Sequence, residues 1–186
     1  MLPLRLPRTL VGRIALGVLV LSLAGGGWWL HLRRPSVQVP ATFAHLAEAF
    51  ADNDAAAVIA SLHPDYDWQA AWPTVFNHQD DLKAMLGKGN DPELDRPRGL
   101  AKAGLKQWFL QHITNRLELT WTIHEWRERD DGTIECFADI SLTAANGSLI
   151  KIDPPLKHHR FVLAGYGIGP RLRILSHDRI AVTMPF

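Results

Sequence analysis

Three hydrophobic patterns follow one another along this 186-residue chain. From Ile14 to Leu30 no charged residue occurs, and with Leu10, Val11 and Leu32 the apolar run approaches the roughly 20 residues of a membrane-spanning helix. After Thr42, a suitable N-cap, the period is helical, with Phe43, Leu46, Ala47 and Phe50 on one face. Asp52-Asn53-Asp54 ends that helix and caps a shorter one carrying Val58, Ile59 and Leu62, which Pro64 stops. Residues 73–99 are broken by Pro73, Gly87, Gly89, Pro92, Pro97 and Gly99, with room for a short helix at Gln79–Leu86. So long a connection marks a lid, a binding loop or an insertion. A third helix is expected at Leu100–Thr114, with Leu105, Trp108, Phe109 and Ile113 inward.

Beyond Thr114 the period falls to two. Leu117, Leu119, Trp121 and Ile123 alternate with Glu118, Thr120, Thr122 and His124, and the alternation slips at Glu125–Trp126, which predicts a bulge. Asp131-Gly132 and Asn146-Gly147 are hairpin signals on either side of Ile134–Leu142. Leu149–Ile152 and His159–Ala164 form a strand broken by Pro154-Pro155, and Gly165–Pro170 turns the chain into a last strand with Leu172, Ile174 and Ile180. Helices followed by an antiparallel meander give an α+β fold, with N-terminal helices packed on a curved antiparallel sheet and one transmembrane helix before them.

Charge divides the chain at the same place. Residues 1–35 hold Arg5, Arg8, Arg13, Arg33 and Arg34 and no acid; residues 36–186 hold fifteen basic and nineteen acidic residues, a net charge of −4. That balance argues against nucleic acid as a partner. The sequence predicts a cytoplasmic n-region over 1–9, a signal anchor over 10–32, an extended linker over 33–40 set by Pro35 and Pro40, and a domain over 41–186. Such a chain would be single-pass in the cell membrane, its C-terminal domain on the extracytoplasmic (periplasmic) side. The competing reading is a signal peptide cleaved after Ser22-Leu23-Ala24; it also puts the domain outside the cytoplasm.

The stretch FAHLAEAFADNDAAAVIASLHPDYDW, with its Asp-bearing turn, His63-Pro64-Asp65 and Tyr66-Asp67-Trp68, resembles the opening of the nuclear-transport-factor-2-like superfamily and its SnoaL-like group. The resemblance implies a cone-shaped, cystatin-like fold around a cavity, with the chain after the second helix at the cavity mouth. Tyr66, Trp68, Trp72, Trp108 and Trp121 are then the ligand-lining candidates. The leading expectation is a domain that binds a small apolar ligand or a protein partner without catalysis. If the protein is an enzyme, the likeness implies a hydrophobic cyclic substrate, with Asp67 as base and Tyr66 as donor. A third reading, an assembly subunit of an envelope or secretion complex, follows from an anchor ahead of such a domain. The exposed sheet face, with Glu118, Thr120, Thr122 and His124, would serve a homodimer or an envelope protein partner.

Other candidates resolve toward structure. Asp139 alternates opposite to Cys136, Ala138 and Ile140, away from the apolar face. The adjacent pairs His158-His159 and His177-Asp178 would point to opposite faces of their strands, so no metal and no cofactor is expected. Cys136, on an apolar strand and without a histidine motif, reads as a small buried hydrophobe.

Overall fold

A computed structural model describes residues 10–68, 76–85, 91–111, 117–144, 159–165 and 171–179. Its helices are α1 (Leu10–Leu32), α2 (Pro35–Ala51), α3 (Ala55–Ala60), α4 (Gln79–Met85) and α5 (Pro97–Gln111). Its strands are β1 (Leu117–Glu128), β2 (Ile134–Ala144), β3 (His159–Gly165) and β4 (Leu172–Arg179). The strands form one antiparallel sheet in the order β1-β2-β3-β4. The α+β expectation therefore holds. The expected features at Trp72, Ile113, Asn146-Gly147, Leu149–Ile152, Pro154-Pro155, Gly167–Pro170 and Ile180 lie outside the described residues.

Helix α2 lies across one face of the sheet against β1 and β4, and α3 packs on α2 and α5. Periodicity explains the contact: Val39, Phe43, Leu46 and Ala49 recur along one side of α2, and all are buried. They meet Leu117 and Leu119 of β1, Cys136, Ala138 and Ile140 of β2, Phe161 and Leu163 of β3, and Ile174 of β4 in one core. Asp54 caps α3 through its side chain, which accepts from the N–H groups of Ala56 and Ala57 at 2.9 and 3.0 Å. Asn53 makes the turn before it at φ 53°, a conformation asparagine tolerates. Gly99 is required by proximity, since a Cβ there would lie 1.9 Å from the carbonyl oxygen of Glu93.

Two expectations fail at the amino-terminal side. The extended linker is absent, because α2 begins at Pro35 and runs through Pro40. Proline at the first helical position loses no hydrogen bond and is preset for the helix, so Pro35 starts α2 rather than preventing it. Thr42 is consequently internal; its hydroxyl donates to the Gln38 carbonyl at 2.9 Å instead of capping. The transmembrane helix is not supported either: among the described residues, no helix is long and apolar enough to cross a membrane.

Smaller shifts have local causes. Helix α3 stops at Ala60 rather than at Pro64, because Leu62 leaves to pair in parallel with Ile174 of β4. Helix α5 starts at Pro97, three residues before the expected Leu100, with proline again at a helix start. The β1 bulge falls between Ile123 and Glu125, one step earlier than the sequence suggests, and β3–β4 carries a second between Val162 and Leu163.

Candidate functional site

The segment after α3 builds the site. The His63 N–H donates to the Ile174 carbonyl at 2.8 Å and the Ile174 N–H to the Ser61 carbonyl at 3.0 Å, so the chain is stitched to β4 just before His63-Pro64-Asp65. That triplet turns, with the Tyr66 N–H donating to the His63 carbonyl at 3.1 Å and the Asp65 N–H to the His63 ring at 3.2 Å. The turn buries Tyr66 and leaves Asp65 and Asp67 exposed on either side.

Tyr66 reaches β4. Its hydroxyl lies 2.6 Å from His177 Nδ1, in hydrogen-bond contact, and the two rings are nearly parallel, 5.9 Å apart. Trp68 backs Tyr66 edge-on at 5.1 Å, and the His159 ring lies 5.5 Å from His177 on the other side. Burial, reinforced by His159, drives the His177 imidazole down to about 4, against a weaker opposing pull from Asp178. His177 is therefore neutral at pH 7.

Both rings line an apolar cavity of about 90 Å³ between the helices and the sheet, whose other walls include Phe50, Val58, Leu119, Ile140 and Phe161. Such a space suits a compact apolar molecule. It is far below the several hundred Å³ of a drug-sized pocket.

The other expected lining residues separate. Trp108 sits in an aromatic cluster with Phe50 and Phe109, at 6.5 and 5.5 Å, and Trp121 lies 6.0 Å from Phe43. Both are partly buried packing residues and neither lines the cavity. Asp139 faces the opposite side of the sheet, 3.2 Å from His124 Nε2. Cys136 is fully buried and its thiol is pushed up to about 11 by desolvation, which suppresses the thiolate a nucleophile needs.

Sequence reasoning missed His177. Counting from Ile174, strict alternation puts Ser176 and Asp178 inward. The β3–β4 bulge sets Ile174 opposite Leu163 but Ser176 opposite Val162, so parity flips and His177 enters beside Phe161. The available signal was the apolar partner strand His159–Ala164, whose own alternation places His159 and Phe161 inward.

No protein family and no curated protein matches this chain. Among solved structures it is similar to Aln2 from a Streptomyces species, with 16% identity, a TM-score of 0.48, and coverage of 77% of this chain and 89% of that chain.

Proposed function

We propose that this is a nuclear-transport-factor-2-like domain that binds a small apolar ligand without catalysis, held at a membrane surface by α1 on the extracytoplasmic side. The observation that carries the binding reading is the apolar cavity of about 90 Å³ closed at one end by the Tyr66–His177 pair. Its walls are almost wholly apolar, since the Tyr66 hydroxyl and His177 Nδ1 engage each other, so a ligand there is held by buried apolar contact rather than by charge. Support for the membrane reading comes from α1, where Val18, Leu21, Leu23 and Leu30 are 59, 73, 67 and 63% exposed; an apolar surface of that extent is stable only when covered.

The test is thermal melting of the full chain in detergent with cyclohexanol, an apolar probe with one hydroxyl. The probe raises Tm in the wild type, and the rise disappears in Val58→Phe, which fills the cavity. An unchanged wild-type Tm across the soluble range of the probe overturns the reading. The hydrogen bond at 2.6 Å favours one second reading, a SnoaL-like enzyme that moves a proton at the Tyr66 phenol. There His177 supplies the half-buried base that exposed Asp67 does not, and His177→Asn abolishes turnover while Asp67→Asn does not.

A further inference from the structure

Among the described residues, ten line the apolar cavity and eight of those are buried. The other two, Phe50 and His177, are partly open to solvent, so a ligand enters past one of these two rings. The two openings differ in what holds them shut. Phe50 is wedged edge-on against Trp108 and Phe109, at 6.5 and 5.6 Å, and Phe109 is itself buried. Moving Phe50 aside therefore unpacks a cluster of three rings.

His177 is placed differently. It lies near the end of β4, the outermost strand of the sheet among the described residues. The segment after α3 is stitched to β4 at Ile174, by two backbone hydrogen bonds and the bridge from Leu62. Three residues further along β4 that stitch has ended, and the Tyr66 hydroxyl spans the seam to His177 Nδ1 at 2.6 Å. Trp68 packs edge-on against Tyr66 at 5.1 Å, which fixes the phenol and leaves the imidazole as the part that can move. On its inner side the imidazole meets the buried rings of His159 and Phe161, 5.5 and 5.9 Å away, so its path leads outward, by rotation of one side chain.

We propose that the His177 side chain is the gate of the cavity and that its hydrogen bond to Tyr66 is the latch, which sets how fast an apolar ligand enters and leaves. The proposal rests on the reading that the cavity binds such a ligand, and it adds the route. Closed, the latch keeps water from the apolar walls. Broken, it frees an imidazole that is already partly exposed and that water solvates, so opening costs little more than the bond itself. Opening at Phe50 instead brings apolar rings into water and loses their mutual packing, which costs more.

The experiment is fluorine exchange spectroscopy on the full chain in detergent with fluorobenzene, an apolar ring that carries its own reporter. Val58→Phe fills the cavity and identifies the bound resonance by abolishing it. Tyr66→Phe keeps the ring and removes the latch, and it raises the dissociation rate about fivefold, the weight of one hydrogen bond. His177→Ala removes the gate itself and raises the rate further. Trp108→Leu loosens the other solvent-facing wall and stays within about twofold of the wild type, as expected of a site away from the gate. A Tyr66→Phe variant that releases the probe at the wild-type rate overturns the latch. Equal acceleration in all three variants marks general loosening and overturns it as well, and acceleration in Trp108→Leu alone moves the entrance to Phe50. A wild type without a bound resonance overturns the binding reading itself, a result separate from a bound probe released at an unaltered rate.

Discussion

Both faces of the sheet carry ionisable groups but treat them oppositely. Inward, His159 and His177 lie among Phe161, Tyr66 and Trp68, and burial keeps the His177 ring uncharged. Outward, Glu135 is 1% exposed yet ionised, gripped by Arg127 and Arg129, with Arg160 3.6 Å away and itself paired to Asp178 at 2.7 Å. For Glu135 desolvation pushes the carboxyl upward, but the hydrogen bonds from Arg127 and Arg129 outweigh it and hold the group below its ordinary value. Glu135 is covered by partly exposed arginine side chains rather than sunk in the core, so water and salt still reach its partners. Period-two alternation produces both environments, since Cys136 and Ala138 face in while Glu135 and Phe137 face out. The lesson is that low exposure alone does not fix protonation: what covers the group decides.

The difference predicts how each face fails. Truncating the inner face costs most. Phe161→Ala removes a ring that packs edge-on against Phe43 at 5.1 Å and borders the cavity, so the void left behind joins existing empty space. Urea unfolding should show a loss of about 3–5 kcal/mol. A loss below about 1 kcal/mol would mean that the helices collapse onto the sheet and that the cavity is not rigidly held.

Next in size is the acid response of the inner face. His177 has a folded value of about 4 against 6.5 for the free side chain, so between those values the unfolded chain binds the extra proton. Stability is therefore full above pH 6.5 and falls as pH drops toward 4, by about 3 kcal/mol over the window. His159, Tyr66 and Asp178 are the titratable groups around the ring, and His177→Phe should flatten the slope while Asp178→Asn leaves most of it. A wild-type unfolding free energy that is level from pH 7 to 4.5 would show that His177 takes a proton in the folded state, and the contrast between the faces would disappear.

Period and punctuation made most of this architecture legible: the amphipathic face of α2, the Asp54 cap, the switch to alternation at Leu117 and the inward set Cys136, Ala138 and Ile140. What escaped depends on parity and position. A bulge leaves composition unchanged but exchanges the two faces beyond it, and so His177 entered the site unannounced. Pro35 and Pro40 read as extended because proline disfavours helix interiors, yet at the first helical position the same ring favours a start. Tyr66 and Trp68 were legible as a cluster after α3, whereas Trp108 and Trp121 share their aromatic character but serve other contacts. Residue type could not separate these roles, because large rings pack equally well around a cavity and away from one.

The smallest effect sharpens the comparison most. Glu135→Gln removes the charge that holds Arg127 and Arg129 and leaves Arg160 with Asp178 alone. Because Arg127 and Arg129 are 62 and 37% exposed, screening limits the cost to about 1–2 kcal/mol, well below that of breaking an ion pair in a dry core. Salt should then act with opposite sign on the two proteins. In the wild type it weakens attraction around Glu135, and in the variant it relieves repulsion among the arginines, so the stability gap between them narrows in high salt. The gap created by Phe161→Ala, which is apolar, should not narrow. Paired urea titrations at low and high salt measure both. A salt-independent Glu135→Gln gap would mean that this carboxylate is as isolated from solvent as His177, and that the outer face is covered in the native protein.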